Sequence, residues 1–288
     1  MATAAAAGTF DIADMTVNRL GFGAMRITGE GVWGDPPDRD AAKAVLRRAV
    51  ELEINLIDTA DSYGPEVSEE LIAEALFPYP EGLVIATKAG FTRPGPGRWK
   101  PDGRPERIRE EIEGSLRRLR VERIDVYQVH TPDRKVPYAE TVGAFRDLQE
   151  DGKVRHVGVS NVNVEQLDEA RGIVEVVSVQ NRYNLTDRES EPVLEVCDRE
   201  SLPYIPWFPL ATGKLDGAKI ERVAERRGLT QMQVGLAWLL HRSKVMLPIP
   251  GTSKVAHLEE NVAAAGLTLT SEPYATLDRF AKKKGAAR

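Results

Sequence analysis

The chain has one cysteine, Cys197, so no disulfide can form within it, which fits a reducing compartment. Cys197 sits in VLEVCDRE beside Val193 and Val196 at helical spacing, where it reads as a small core side chain rather than a reactive thiol. No stretch approaches the ~18 apolar residues of a membrane span. The N-terminal MATAAAAGTF has no basic region ahead of its short alanine run, so it does not read as a secretory signal, and the cytoplasm is the expected location. No cluster of Lys and Arg is dense enough to override a net charge of −5, which argues against nucleic acid or an anionic membrane as a partner. HxH, HExxH and CxxC spacings are all missing, so no metal is expected. The LGFGAM stretch lacks the third glycine and the immediate helix of a dinucleotide fingerprint. Gly21 and Gly23 read instead as points of close backbone or ligand approach.

What the chain does have is alternation. After an expected hairpin over residues 9–20, apolar runs alternate with amphipathic helical patterns. Strands are expected at 20–25, 54–58, 83–88, 123–130, 154–159, 175–180, 203–208 and 245–249. Helices follow near 39–52, 66–76, 105–119, 138–150, 163–172, 189–200, 217–228 with 230–242, and 254–264 with 271–283. No two strands after the hairpin are expected to be joined by a mere turn, so the sheet should be parallel with right-handed crossovers. Eight such units in 288 residues predict an α/β fold of the (β/α)8 TIM-barrel type, built as a single domain over 1–288. The glycine- and proline-rich segment 89–104 is longer than a plain βα connection and reads as a lid or wall, with a tolerated surface insertion as the plainer alternative.

In such a barrel, ionisable residues at the C-terminal ends of strands read as chemistry. The stretch INLIDTADSYG at 54–64 ends its apolar run on Asp58 and carries Tyr63 in the next turn. LVIATK ends on Lys88 and IDVYQVH on His130. A lysine ending an apolar strand needs a partner, and Asp58 is the candidate. Its ammonium beside Tyr63 is expected to lower the phenol's pKa, making Tyr63 a general acid, with His130 placed to orient a carbonyl oxygen. Asp61 is equally near but has no expected role. Ser160, Asn161 and Gln180 end later strands with amide and hydroxyl groups, and Trp207 and Phe208 put aromatic faces at the same rim. A flat ring bearing an amide, such as nicotinamide, suits that combination.

These residues resemble the aldo-keto reductases over nearly the whole chain. The likeness is carried by VNRLG at 17–21, DTADSYG at 58–64, Lys88, His130, GVSN at 158–161, Gln180, PL at 209–210, IPGTS at 249–253 and EN at 260–261. GVWGDPPDR, WFPL and MQVGLAWLLHRS further resemble bacterial pyridoxal reductase-type members. The resemblance implies a barrel whose bottom is closed by the N-terminal β-hairpin, with accessory C-terminal helices. It implies reduction of an aldehyde or ketone carbonyl, pyridoxal among them, by hydride transfer from NADPH, with Tyr63 as proton donor, Lys88 and Asp58 tuning it and His130 positioning the substrate. Cofactor contacts are implied from Gly23, Ala24, Met25, Asp58, Ser160, Asn161, Gln180, Trp207, Phe208, Pro209, Leu210, Gly251, Thr252, Ser253, Lys254, His257, Glu260 and Asn261. Trp207 and Phe208 replace the family's usual tyrosine and serine. Gly251, Thr252 and His257 stand where many members carry a Lys-Ser pair and an arginine around the 2′-phosphate. NADP(H) is expected, with NAD(H) as the alternative. The partner is a small-molecule carbonyl substrate, and a monomer is expected. A second reading is an NADP(H)-sensing barrel that docks to a partner as a regulatory subunit, since potassium-channel β subunits resemble reductases while regulating a channel.

Overall fold

Apolar runs flanked by turn-forming or charged residues set the strands, and the strands carry the site. A computed structural model describes residues 2–211, 218–269, 274–275 and 277–278. Its strands are β1 (Thr9–Ile12), β2 (Met15–Asn18), β3 (Phe22–Gly23), β4 (Leu56–Asp58), β5 (Val84–Ala89) and β6 (Phe91–Gly95). Five more follow: β7 (Arg98–Pro101), β8 (Ile124–Val129), β9 (Val154–Ser160), β10 (Val176–Arg182) and β11 (Tyr204–Trp207). The helices are α1 (Arg39–Glu51), α2 (Val67–Leu76), α3 (Pro105–Leu119), α4 (Tyr138–Glu150), α5 (Val164–Arg171), α6 (Glu191–Glu200), α7 (Ala218–Arg227), α8 (Gln231–Arg242) and α9 (Val255–Val262).

Seven strands form one parallel sheet in the order β3-β4-β5-β8-β9-β10-β11, each following its predecessor across a helical crossover. β5 is buried along its whole length, as a strand covered on both faces must be. The helices start on local signals: Asp38 accepts from the Ala41 amide at α1, and capping boxes pair Asn163 with Gln166 at α5 and Thr230 with Gln233 at α8.

The sheet is curled, because residues 245–248 reach both of its edges. The Tyr204 amide donates to Val245 O at 2.8 Å, the Leu247 amide to Tyr204 O at 2.8 Å, and the Gly21 amide to Pro248 O at 3.0 Å. The strand expected over 245–249 is reduced there to one bridge, Tyr204 to Met246. Pro248 and Pro250 lack the amides a full ladder would use. The strand expected over 20–25 likewise shrinks to Phe22–Gly23, since residues 24–27 turn into a 3-10 helix.

The hairpin is present as β1 paired antiparallel with β2. Its Ile12, Met15 and Val17 pack with Leu56, Val84, Val126, Ile205 and Leu247 from the sheet and the 245–249 segment. Each such buried side chain contributes roughly 1.5–3 kcal/mol. One expectation fails in segment 89–104: β6 and β7 form a second antiparallel ribbon joined by a short turn, so not every strand after the first hairpin is separated by a helix. Its turn residues, Pro96 and Gly97, match a tight reversal. Residues 212–217, with the first residue of the helix expected over 217–228, and most of the helix expected over 271–283 lie outside the described residues.

Candidate active site

Parallel registry sets the site's geometry. Asp58 at the end of β4 stands opposite Ala86, and Lys88 near the end of β5 stands opposite Gln128 of β8. The Lys88 ammonium is fully buried and donates to Asp58 Oδ1 and Oδ2, both at 2.8 Å, and to Thr59 O at 2.6 Å. Its three protons are thereby matched to three acceptors, which is what a buried cation requires. Asp58 Oδ1 also accepts from Gln180 Nε2 at 2.7 Å and Gln128 Nε2 at 3.3 Å. Gln128 has room because position 158 is glycine: a Cβ there would lie 2.9 Å from Gln128 Cγ and 2.6 Å from Ser178 Oγ.

Tyr63 lies beside this pair, with the Lys88 Nζ 5.2 Å from its ring centre. Its ring meets that of His130 edge-on at 5.9 Å. Burial pushes the Tyr63 phenol well above its usual value, and the Asp58 and Asp61 carboxylates push the same way, while Arg93 opposes them. The sequence reading expected the opposite direction. The difference arises because the Lys88 charge is met by Asp58, so desolvation, with the Asp58 and Asp61 carboxylates, prevails. A phenol raised in this way is protonated at neutral pH. His130 is held well below its usual value by burial, then by Lys88 and Arg93, and is therefore neutral. Its Nδ1 faces Ser62 Oγ at 3.4 Å. The Lys88 pKa is itself lowered by burial against the raising effect of Asp58.

A cavity of about 990 Å³ opens onto Tyr63, Asp58 and His130. Of the residues expected to touch a cofactor, it is lined by Gly23, Met25, Ser160, Asn161, Gln180, Trp207, Phe208, Pro209, Leu210, Gly251, Thr252, Ser253, His257, Glu260 and Asn261. Ala24 and Lys254 do not line it. Ala24 is fully buried, its carbonyl accepting from Ser68 Oγ at 3.4 Å. Lys254 caps α9, and its amide donates to Thr252 Oγ1 at 3.1 Å. Glycine is needed at this wall, since a Cβ on Gly251 would sit 2.4 Å from Gly23 O and one on Gly23 2.7 Å from Ile249 O. The amide of Asn161 is engaged on both sides: its Nδ2 donates to His130 O at 2.8 Å, and its Oδ1 accepts from Trp207 Nε1 at 2.9 Å. That ties the Trp207 ring to the end of β9.

The ribbon answers the question posed by segment 89–104, for it forms a wall. Phe91 lies 4.6 Å from His130 between ring centres, and Trp99 lies 6.1 Å from Tyr63 and 6.2 Å from His130, all edge-on. Arg26, Thr131 and Met232 also line the cavity and were not singled out from the sequence. Asp61, given no role there, is buried, with its Oδ1 unpartnered among the described residues. Burial raises its pKa well above the carboxylate range, helped by the nearby Glu111 and Glu69. Glu111 is pushed up to about 7, mainly by burial, against the lowering effect of Arg107. Outside the site, His156 meets Asp14 Oδ1 at 2.7 Å.

Comparison with known proteins gives the family and the fold. Residues 19–282 match the aldo/keto reductase family. The chain is 51% identical to an uncharacterized oxidoreductase of Schizosaccharomyces pombe, over 99% of this chain and 94% of that protein. It is 42% identical to pyridoxine 4-dehydrogenase of Escherichia coli, over 96% of this chain and 99% of that protein. Among solved structures, the glycerol dehydrogenase of Gluconobacter oxydans superimposes with a TM-score of 0.86 at 29% identity, over 96% of both chains. An aldo-keto reductase of Klebsiella pneumoniae in complex with NADPH gives a TM-score of 0.79 at 28% identity, over 92% of this chain and 91% of that one.

Proposed function

The chain belongs to the aldo/keto reductase family and is an enzyme of that type; from this premise we propose that it reduces an aldehyde or ketone to an alcohol with NADPH, as a monomer in the cytoplasm. The observation that carries the reading is that Asp58, Tyr63 and His130, from strand ends and the loop after β4, all line one large cavity, with the buried Lys88 paired to Asp58 behind it. We also propose that the curled sheet closes into a barrel through residues 245–249, with the β1–β2 hairpin covering its lower end. The hydrogen bonds from that segment to Tyr204 and Gly21, and the packing of Ile12, Met15 and Val17, support this.

NADPH fits the cavity's donor set. Gly23 and Gly251, whose missing side chains let the backbones of this wall close up, both line the cavity, and the aromatic face of Trp207 borders it. Thr252, Ser253, Lys254 and His257, beside the N-terminus of α9, would hold the 2′-phosphate, as helix termini hold anions. Ser160, Asn161 and Gln180 would hold the carboxamide, with Trp207 against the ring. When bound, the cofactor supplies the hydride. The remaining chemistry falls to the chain's own groups. Neutral His130 donates a hydrogen bond to the substrate carbonyl oxygen and fixes its position. Tyr63, protonated because burial holds its pKa high, gives its proton to the oxygen as negative charge develops there. The Lys88–Asp58 pair, fixed by Gln128 and Gln180, keeps a cation near the phenolate that results.

Pyridoxal is the substrate we test first, on the strength of the likeness to a pyridoxine 4-dehydrogenase. The test is loss of NADPH absorbance with pyridoxal, benzaldehyde and a small ketone, repeated with NADH. The reading predicts turnover with at least one aldehyde and a clear preference for NADPH. No turnover of any carbonyl with either cofactor would contradict it.

A further inference from the structure

The reductase reading assigns no part to Arg93, yet Arg93 sits where three loops of the site meet. Its guanidinium makes three hydrogen bonds, all to backbone carbonyls on different segments. Nη1 donates to Ser62 O at 2.7 Å, Nη2 to Gly31 O at 3.1 Å and Nε to Arg98 O at 2.9 Å. The same group lies over the Trp99 ring at 3.6 Å and within 5.8 Å of Trp33. The ribbon turn adds one bond to the same loop, from the Gly97 amide to Gly31 O at 3.0 Å. Among the described residues Arg93 has no carboxylate partner, in contrast to Lys88, whose charge Asp58 meets. Arg93 is therefore a cation at the site that no carboxylate compensates among the described residues.

We propose that Arg93 is a positioning residue of the reductase site: it latches the β6–β7 ribbon to the loop carrying Ser62 and Tyr63, and holds an uncompensated cation beside Tyr63 and His130. The proposal rests on the reductase reading of that site. The latch fixes the wall made by Phe91 and Trp99, against which a substrate must lie for its carbonyl to reach Tyr63 and His130. A planar fork suits three carbonyls converging from separate segments, and a lysine ammonium cannot span them. The charge acts on both reacting groups. Tyr63 is faced by Asp58 and Asp61, which disfavour the phenolate, and by Lys88 at 5.2 Å and Arg93, which favour it. His130 is faced by Lys88 and Arg93, both of which keep it neutral.

Arg93→Met and Arg93→Lys separate the two roles. For Arg93→Met, the KM for benzaldehyde should rise about tenfold or more and kcat fall several-fold, while NADPH affinity, read by fluorescence titration, stays within about twofold. The alkaline limb of the reduction profile, where Tyr63 loses its proton, should move upward by up to about one pH unit. Arg93→Lys should return that limb toward the parent's position yet leave KM raised. Independently of turnover, amide exchange over 91–101 should quicken in both variants, and retained NADPH binding shows that they fold. If Arg93→Met keeps the parent's KM, its alkaline limb and the slow exchange of the ribbon, the proposal is wrong. If the parent itself turns over no carbonyl, the reductase reading fails, and the exchange measurement still decides whether Arg93 is the latch.

Discussion

Replacing Lys88 by methionine tests the buried centre of the site and separates charge from packing. Methionine retains most of the stem's volume, so the change removes mainly an ammonium and its three hydrogen bonds. Lys88 is fully buried and Asp58 is 2% exposed, so water cannot replace what is lost. Breaking such a pair by removing one partner typically costs 3–5 kcal/mol, because the remaining charge is left uncompensated. Two amides remain on Asp58, from Gln180 at 2.7 Å and Gln128 at 3.3 Å, and each hydrogen bond to a charged group offsets about 1 kcal/mol or more of that. The expected net loss is on the order of 1–3 kcal/mol. Adding Asp58→Asn removes the stranded charge, and the double variant should recover about 1–2 kcal/mol relative to the sum of the two single changes. The assay is urea unfolding of all four proteins, with stability taken from midpoint and slope. The reasoning is refuted if Lys88→Met unfolds at the parent's midpoint, or if the double variant is no more stable than that sum.

Two further outcomes follow from the same structure. Glu111 has its pKa raised to about 7 by burial, above its unfolded value, so its contribution to stability is full below the unfolded pKa and is lost as pH rises through about 7. The parent should lose on the order of 1–3 kcal/mol from this group between about pH 5 and pH 8, and Glu111→Gln should flatten that slope in thermal unfolding; an unchanged slope counts against it. Gly158→Ala places a methyl 2.9 Å from Gln128 Cγ and 2.6 Å from Ser178 Oγ, which should cost roughly 1–3 kcal/mol and lower kcat by moving Gln128 away from Asp58. Steady-state kinetics beside a melt would expose the error if stability fell with kcat unaltered.

The strand-end residues were legible because Asp58 ends the apolar run LI and Lys88 the run VIAT, while His130 ends IDVYQV, a strand pattern that also carries Asp125 and Gln128. Their pairing followed from the cost of burying a lone charge. The ribbon over 91–101 was not legible, since FTRPGPGRWKP has prolines and glycines in place of strand alternation, and its order depends on Arg93 binding carbonyls far away in the chain. Gln128 reads as one polar position on a buried strand, and only the absence of a side chain at Gly158 lets it reach Asp58. Glu69 and Glu111 look like the polar face of amphipathic helices, and nothing local tells that both turn inward beside Asp61. The direction of the Tyr63 shift was misjudged because proximity of a cation can be guessed from sequence, whereas the balance between burial and that cation depends on distances.

The central claim is that the Tyr63 hydroxyl delivers the proton. Tyr63→Phe keeps the ring that contacts His130 and Trp99 and removes only that hydroxyl. NADPH titration should give the parent's affinity, while the single-turnover rate of aldehyde reduction should fall by about 10²-fold or more, the usual size of a lost general acid. A Tyr63→Phe protein that binds NADPH and reduces aldehyde at the parent's rate would contradict the account.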